Sequence, residues 1–239
     1  MRTELLKLST VRTPWVLLAA AQLVIVLGAV GPFLRGGTVD PAAVRSGAGH
    51  LGLTALFALV LGILAVAGEH RHRTVTDTYL GQPRRGRVLA AKLGVHLLAG
   101  VGFGVVGAVT ALATTAVAVT VTDLSADWSD AVLWRTVGGG ILWNVMFAVM
   151  GVALGALVGN LTAAVTGALA WLALVEGVLG MVLGEDAARW LPFSAGAALG
   201  NLPAGAGGLS QASAAGVLAG YALVLTAAAV AVTGRRDIT

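Results

Sequence analysis

Six apolar runs, each broken by short polar segments, divide this chain: Trp15–Leu34, Leu51–Gly68, Leu89–Val121, Val132–Val158, Leu161–Leu183 and Ala212–Thr233. Runs of about 18 or more apolar residues cross a hydrocarbon core roughly 30 Å thick as helix. The pattern therefore predicts an all-α membrane protein with six transmembrane helices in one domain, residues 1–239. The third run, 33 residues long, exceeds a single crossing and is expected to tilt, kink or project. Ahead of the first run, MRTELLKLSTVRTP spaces Leu5, Leu8 and Val11 three apart, with Arg2, Lys7 and Arg12 among them. That spacing predicts an amphipathic helix in the membrane interface, broken at Thr13-Pro14 where the first span starts. The first run is read as a span and not a cleaved leader, because its apolar core is too long and no convincing A-x-A site follows before Pro32.

Composition excludes an ordinary soluble domain. The chain is 57% hydrophobic and 11% charged, with mean hydropathy +0.90, whereas soluble domains carry roughly 25% charged residues. Charge placement then predicts orientation. Segments 1–14, 69–88, 159–160 and 234–239, with Lys92, hold eleven of the fifteen Lys and Arg residues. The other side keeps Arg35, Arg45, Arg135 and Arg189, together with Asp40, Asp123, Asp127, Asp130, Glu185 and Asp186. The positive-inside rule makes this N-in and C-in. The net charge of +4 is accounted for by topology and contact with anionic membrane lipid, so no nucleic-acid partner is invoked. With no cysteine, disulfides, thiolate metal sites and Cys nucleophiles are excluded.

Several motifs fail on context. Gly102-x-Gly104-x-x-Gly107 lies inside an apolar helix with no preceding strand, and Gly138-Gly139-Gly140 lacks the Lys-Ser/Thr of a phosphate loop. His70 and His72 alternate on a charged loop, and Glu185-Asp186-Ala-Ala-Arg189 is one spacer short of an intramembrane-protease motif. No catalytic, cofactor or metal residue is assigned, and the chain is read as non-enzymatic. The glycines are read as packing residues: Gly151, Gly155 and Gly159 form one ridge on the fourth span, and Gly180/Gly184 and Gly216/Gly220 repeat it briefly. Small residues let helix backbones approach where lipid offers little hydrophobic drive. Glu176 is the ionisable residue inside a span, about 10 Å from its outer end. It either lines a translocation path or gate, or pins its helix to Asn144, a threonine or a neighbouring helix. Gln22, Asn144, Thr110, Thr114 and Thr115 are read as helix–helix contacts.

The segment Glu69–Lys92, EHRHRTVTDTYLGQPRRGRVLAAK, carries six of the fifteen basic residues. Arg71, Arg73, Arg84, Arg85 and Arg87 suit the lipid headgroup level and set topology. Thr74-x-x-Asp77 approximates a capping box, Gly81 suits a helix terminus and Pro83 stops continuation. The result is a short helix, Val75–Leu80, with Val75 and Tyr79 on one face. Such a helix is marginal alone and needs a partner surface.

These features together resemble the ABC-2 family of ABC exporter permeases. The residues that carry the resemblance are ELLKLSTVRTPW, GEHRHRTVTDTYLGQPRRGRVLAAKL, and WLALVEGVLG with the following WLPFSAGAAL. The resemblance implies a half-transporter in a bacterial plasma membrane, which dimerises with itself or a paralogous permease. A separate ABC ATPase subunit, which binds the ATP and Mg, would dock on a coupling helix in the first cytoplasmic loop, 69–88. By position that helix is Thr74–Gly81, with Glu69, Thr74, Val75, Thr76, Asp77, Tyr79 and Leu80 as coupling residues. Re-entrant outer helices before the last span map to Ala187–Gln211. Two other classes stay open at this stage: an ATP-independent secondary transporter or channel, and a membrane anchor or immunity protein.

Overall fold

A computed structural model of the chain describes residues 2–34, 42–71, 76, 78, 80, 82, 84–122, 126–202 and 208–235. Its regular elements are all helical. Helix α1 (Arg2–Thr10) bends at Val11 into α2 (Arg12–Leu34). Helix α3 (Ala42–Gly49) passes through a 3-10 turn, His50–Thr54, into α4 (Ala55–Arg71). Two long helices follow, α5 (Arg85–Val121) and α6 (Ala131–Val158). Helix α7 (Leu161–Ala170) continues through a π-turn, Trp171–Val175, into α8 (Glu176–Leu183). Short helices α9 (Glu185–Ala188) and α10 (Pro192–Leu199) lead to α11 (Gln211–Arg235). Six helical units are long and apolar enough to cross a membrane: α2, α3–α4, α5, α6, α7–α8 and α11.

The element ends follow from local chemistry. The first span starts at Arg12 and not after Thr13-Pro14, because Pro14 sits in the first turn of α2, where its missing N–H forfeits no intrahelical bond. The second span begins earlier than its Leu-rich run, at Ala42, and is broken. Gly49 and Gly52 weaken the helix there, and the Thr54 hydroxyl lies 2.7 Å from the Leu51 carbonyl oxygen, within its own turn. Asp130 caps α6 by accepting from the Val132 N–H at 2.9 Å. Gly159 ends α6 with a left-handed φ of 69°, and Asn160 then caps α7 by accepting from the Ala163 N–H at 3.0 Å. The connection between the fourth and fifth spans is therefore these two residues. Helix α5, at 37 residues, is about 55 Å long, so it projects beyond one crossing.

Helix α6 is the centre of the bundle, touching α3, α4, α5, α7, α10 and α11. Its glycines set how closely the neighbours come. A Cβ on Gly151 would strike the Leu59 carbonyl, and one on Gly155 would lie 2.8 Å from the Ile63 carbonyl, both on α4. From the other side, Gly62 meets Ala148 and Val152. A second ridge lies on α5: Gly100 faces Asn144 and Val145, Gly104 faces Ile141, and Gly107 faces Leu51 and Ile25. Neither Gly216 nor Gly220 meets anything within 4 Å, and Gly180 meets Ala188 at 3.5 Å. Within one chain, those pairs pack no helix closely.

Trp143 on α6 is fully buried and fills the space that glycines leave around it. Gly52, Gly196 and Gly200 surround its indole, and Phe147 and Phe193 meet it edge-on at 5.7 and 5.5 Å. Beside it, the Asn144 amide accepts from the Thr54 hydroxyl at 2.9 Å and donates to the Gly140 carbonyl at 2.9 Å. Asn144 thus joins α6 to the 3-10 turn. Thr110 instead bonds back to Val106 in its own helix, as Gln22 does to Leu18.

Replacing Gly151 by Leu is expected to force α4 off α6 and destabilise the chain by about 1–3 kcal/mol or more. Gly216→Leu, facing open space, should stay within about 0.5 kcal/mol of wild type. Thermal unfolding in detergent compares the two, and equal melting temperatures would contradict the packing.

Candidate functional site

A cluster of four charged side chains gathers where α1, the end of α4 and the start of α5 meet. Lys92 lies on α5 two turns past its first residue, with only 3% of its side chain exposed. Its ammonium has three protons to place, and three acceptors surround it: Glu69 Oε1 at 2.7 Å, Glu4 Oε2 at 2.9 Å and the Ala65 carbonyl at 2.9 Å. Ala65 and Glu69 stand one turn apart on α4, so a single helix face supplies both a carbonyl and a carboxylate. Lys7 closes the cluster from the solvent side, donating to Glu69 Oε1 at 2.7 Å and Glu4 Oε1 at 3.0 Å. Two ammoniums and two carboxylates leave it neutral. One turn deeper, His96 is buried and its Nδ1 donates to the Lys92 carbonyl at 2.9 Å.

This cluster decides how α1 sits. Glu4 faces inward with Leu8, which packs against the buried cluster of Ala21, Ala58, Leu61, Phe103 and Ala148, while Lys7 reaches in from the exposed edge. Leu5 and Val11 are about half exposed. The ion pairs of Glu4 and Lys7, with Leu8, hold α1 on the bundle. Burial alone would push the Glu4 carboxyl up, but the Lys92 and Lys7 ammoniums outweigh it and hold it below its ordinary value. Partial burial likewise opposes the Lys7 charge, yet Glu69 and Glu4 raise its pKa above the usual lysine value.

Glu69 and Lys92 also bracket the basic loop, so its two stems are bonded directly to each other. Of the loop's coupling residues, Thr76 and Leu80 are exposed, while Thr74, Val75, Asp77 and Tyr79 lie outside the described residues. So does Arg73; Arg71, Arg84 and Arg87 are exposed, and Arg85 makes a long 3.4 Å contact to the Thr233 carbonyl of α11.

At the opposite end, Glu176 caps a helix. Its carboxylate is buried and accepts from the Phe193 N–H at 2.9 and 3.0 Å and from the Ser194 N–H at 3.2 Å. These are the free N–H groups of the first turn of α10, which an anion satisfies well. Pro192 at the start of α10 leaves the neighbouring donors to the carboxylate. The Trp171–Val175 π-turn lies directly ahead of Glu176. The partner of this acid is therefore the backbone of α10, and not Asn144 or a threonine. Gln211 Nε2 donates to the Leu199 carbonyl at 2.9 Å and closes the other end of α10.

Of the predicted coupling residues, Glu69 belongs to the ionic cluster and Thr76 and Leu80 are exposed. Glu4 and His96 were not singled out by sequence, and Lys7 was read only as a basic residue of the interfacial helix. A signal existed: Lys92 stands inside an apolar run and needs a partner there, and Glu4 is an acid in a basic segment. Among the described residues, no three His, Asp or Glu side chains gather as metal ligands. Compared with protein-family models and with curated proteins, the chain matches none.

Lys92→Met leaves Glu4 and Glu69 buried beside each other and is expected to cost about 3–5 kcal/mol and to release α1. Protease sensitivity of residues 2–10 reports the release, and unchanged protection would contradict it. Acid should do the same reversibly. Glu4 has a lowered pKa, so its contribution is present above the ordinary value of 4.5 and fades as pH falls through the lower folded value. The Lys7 contribution is present below 10.5 and fades as pH rises through its raised value. Protection of α1 should hold between these limits and fail outside both. Separately, Glu176→Leu uncaps α10 and is expected to lower stability by about 1–3 kcal/mol, with Glu176→Gln milder. A shifted Trp143 emission accompanies loss of α10 from its place, and a melting point unaffected by Glu176→Leu would contradict the cap.

Proposed function

We propose that this chain is the membrane-spanning subunit of an ATP-driven ABC exporter of the ABC-2 type. It stands N-in and C-in in a bacterial plasma membrane, works as a dimer, and takes its energy from a separate ATPase subunit. The reading rests on the resemblance of the N-terminal segment, first loop and last third to that family, and on the arginine-rich side that would face the cytoplasm. In this reading α10 belongs to the re-entrant outer segment, Ala187–Gln211, and is buried against α6 where irregular backbone is tolerated at membrane depth.

The observation that best supports it is the pairing of Glu69 with Lys92 at 2.7 Å. A loop that receives a push from a soluble partner transmits motion only if its stems move as one body. Here α4 and α5 are bonded to each other at the loop's base, and α1 is clipped to the same point. The loop then acts as a lever on the second and third spans, which pack on the central α6. Substrate would move through the dimer as the ATPase subunits close, with this chain supplying path and coupling.

Purifying the tagged chain from its own membranes should bring down an ABC ATPase. Val75→Asp with Tyr79→Asp should lose that ATPase while leaving the amount of chain in the membrane unchanged. Recovery of no ATPase with the wild-type chain, or equal recovery with the variant, would contradict the proposal.

A further inference from the structure

A long apolar slot of about 320 Å³ runs beside α6, walled by α4, α7, the π-turn and α11. It starts at Phe147 and Pro192 and follows α6 to Val158. Phe147 and Val158 lie eleven steps apart on α6, a rise of ~16 Å, so the lining runs along a length that an extended hydrocarbon chain can follow. The volume is at the small end of the ~300–1,000 Å³ range of ligand pockets.

Its walls explain why it stays open. Helix α7 offers Ala163, Ala164, Gly167 and Ala168 to the slot, where larger side chains would fill it. Helix α7 packs on α4 and α6, and α11 packs on α5, α6 and α10, so α7 and α11 face each other across the slot. The lining is almost wholly apolar, with the Tyr221 phenol as its polar exception. Val158 and Trp171, 44% and 45% exposed, line the slot at its open side, and both belong to membrane-spanning helices. That opening therefore meets lipid tails and not water. Apolar cavities exclude water, and an empty one forfeits dispersion contacts along all its walls.

We propose that the slot holds one acyl chain of a membrane lipid, entering between α7 and α11. The chain fills a void that the small residues of α7 create and substitutes for the side chains they lack. It joins the fifth and sixth spans, which otherwise face each other without close packing. The proposal rests on the membrane-spanning helices and not on the exporter reading, and its test needs no ATPase.

The test uses the full chain in nanodiscs of phosphatidylglycerol and phosphatidylethanolamine, doped with a phosphatidylcholine that carries a diazirine near the end of one acyl chain. After irradiation, mass spectrometry should find adducts on Met150, Trp171 and Tyr221, besides the lipid-facing Leu223 and Val224. Gly167→Phe adds bulk where a Cβ meets nothing within 4 Å, and Ala168→Leu adds it at the next lining position. Either should cut the slot adducts several-fold and leave those on Leu223 and Val224 unchanged. Slot adducts missing from the wild-type chain, or undiminished in both variants, would overturn the proposal. Crosslinks from the slot to a second copy in place of lipid adducts would overturn it equally.

Discussion

A lysine buried at the edge of a membrane-spanning helix has to be answered by acids, and the terminal end of this protein is built around that requirement. Lys92 sits inside an apolar run with almost no solvent access. A lone ammonium there is costly, whereas one whose three protons all find acceptors is tolerated. The answer comes from three elements distant in sequence: Glu4 on α1, Glu69 and Ala65 on α4, and Lys92 itself on α5. Meeting the requirement therefore fixes the entry helix, joins the two stems of the basic loop, and sets the register of α4 against α5. Lys7 restores charge balance and ties the cluster to solvent.

Beneath that clamp the bundle is held by shape. Gly62, Gly151 and Gly155 bring α4 against α6, and Gly100 and Gly104 bring α5 against it from another side. Glycine then gives way to its opposite at Trp143, whose indole occupies what Gly52, Gly196 and Gly200 vacate. The far end repeats the logic of the near one with a different donor. There Glu176 is answered by backbone N–H groups, so a buried acid doubles as the cap that seats α10 against Trp143. Lys92 at one end and Glu176 at the other thus each position an element that would otherwise be loose.

Six spans were legible because lipid requires continuous apolar runs and tolerates few interruptions. The ridge of Gly151 and Gly155 was legible for the same reason that it works, its four-residue period on one helix face. Gly159 shares that period but ends the helix, a role that depends on φ and not on spacing. The glycines on α5 were hidden behind a misleading nucleotide-like pattern, since Gly100, Gly104 and Gly107 do the packing while Gly102 faces open space. The break at His50–Thr54 was invisible because hydropathy ignores how Trp143, distant in sequence, needs the room that Gly52 leaves. The clamp was hardest to read, since Glu4 and Lys92 lie 88 residues apart. Spacing rules reach one or two turns, and pairings across the bundle are settled by the fold.

The central claim is that Lys92 and Glu69 act as one unit at the base of the loop. A double-mutant cycle of Lys92→Met, Glu69→Gln and the combined variant, read by thermal unfolding in nanodiscs, measures that unit directly. The account predicts that the double variant is less damaged than the two singles summed, by a coupling of about 1–3 kcal/mol. Losses that add within about 0.5 kcal/mol would show that the two residues do not act together, and would contradict the account.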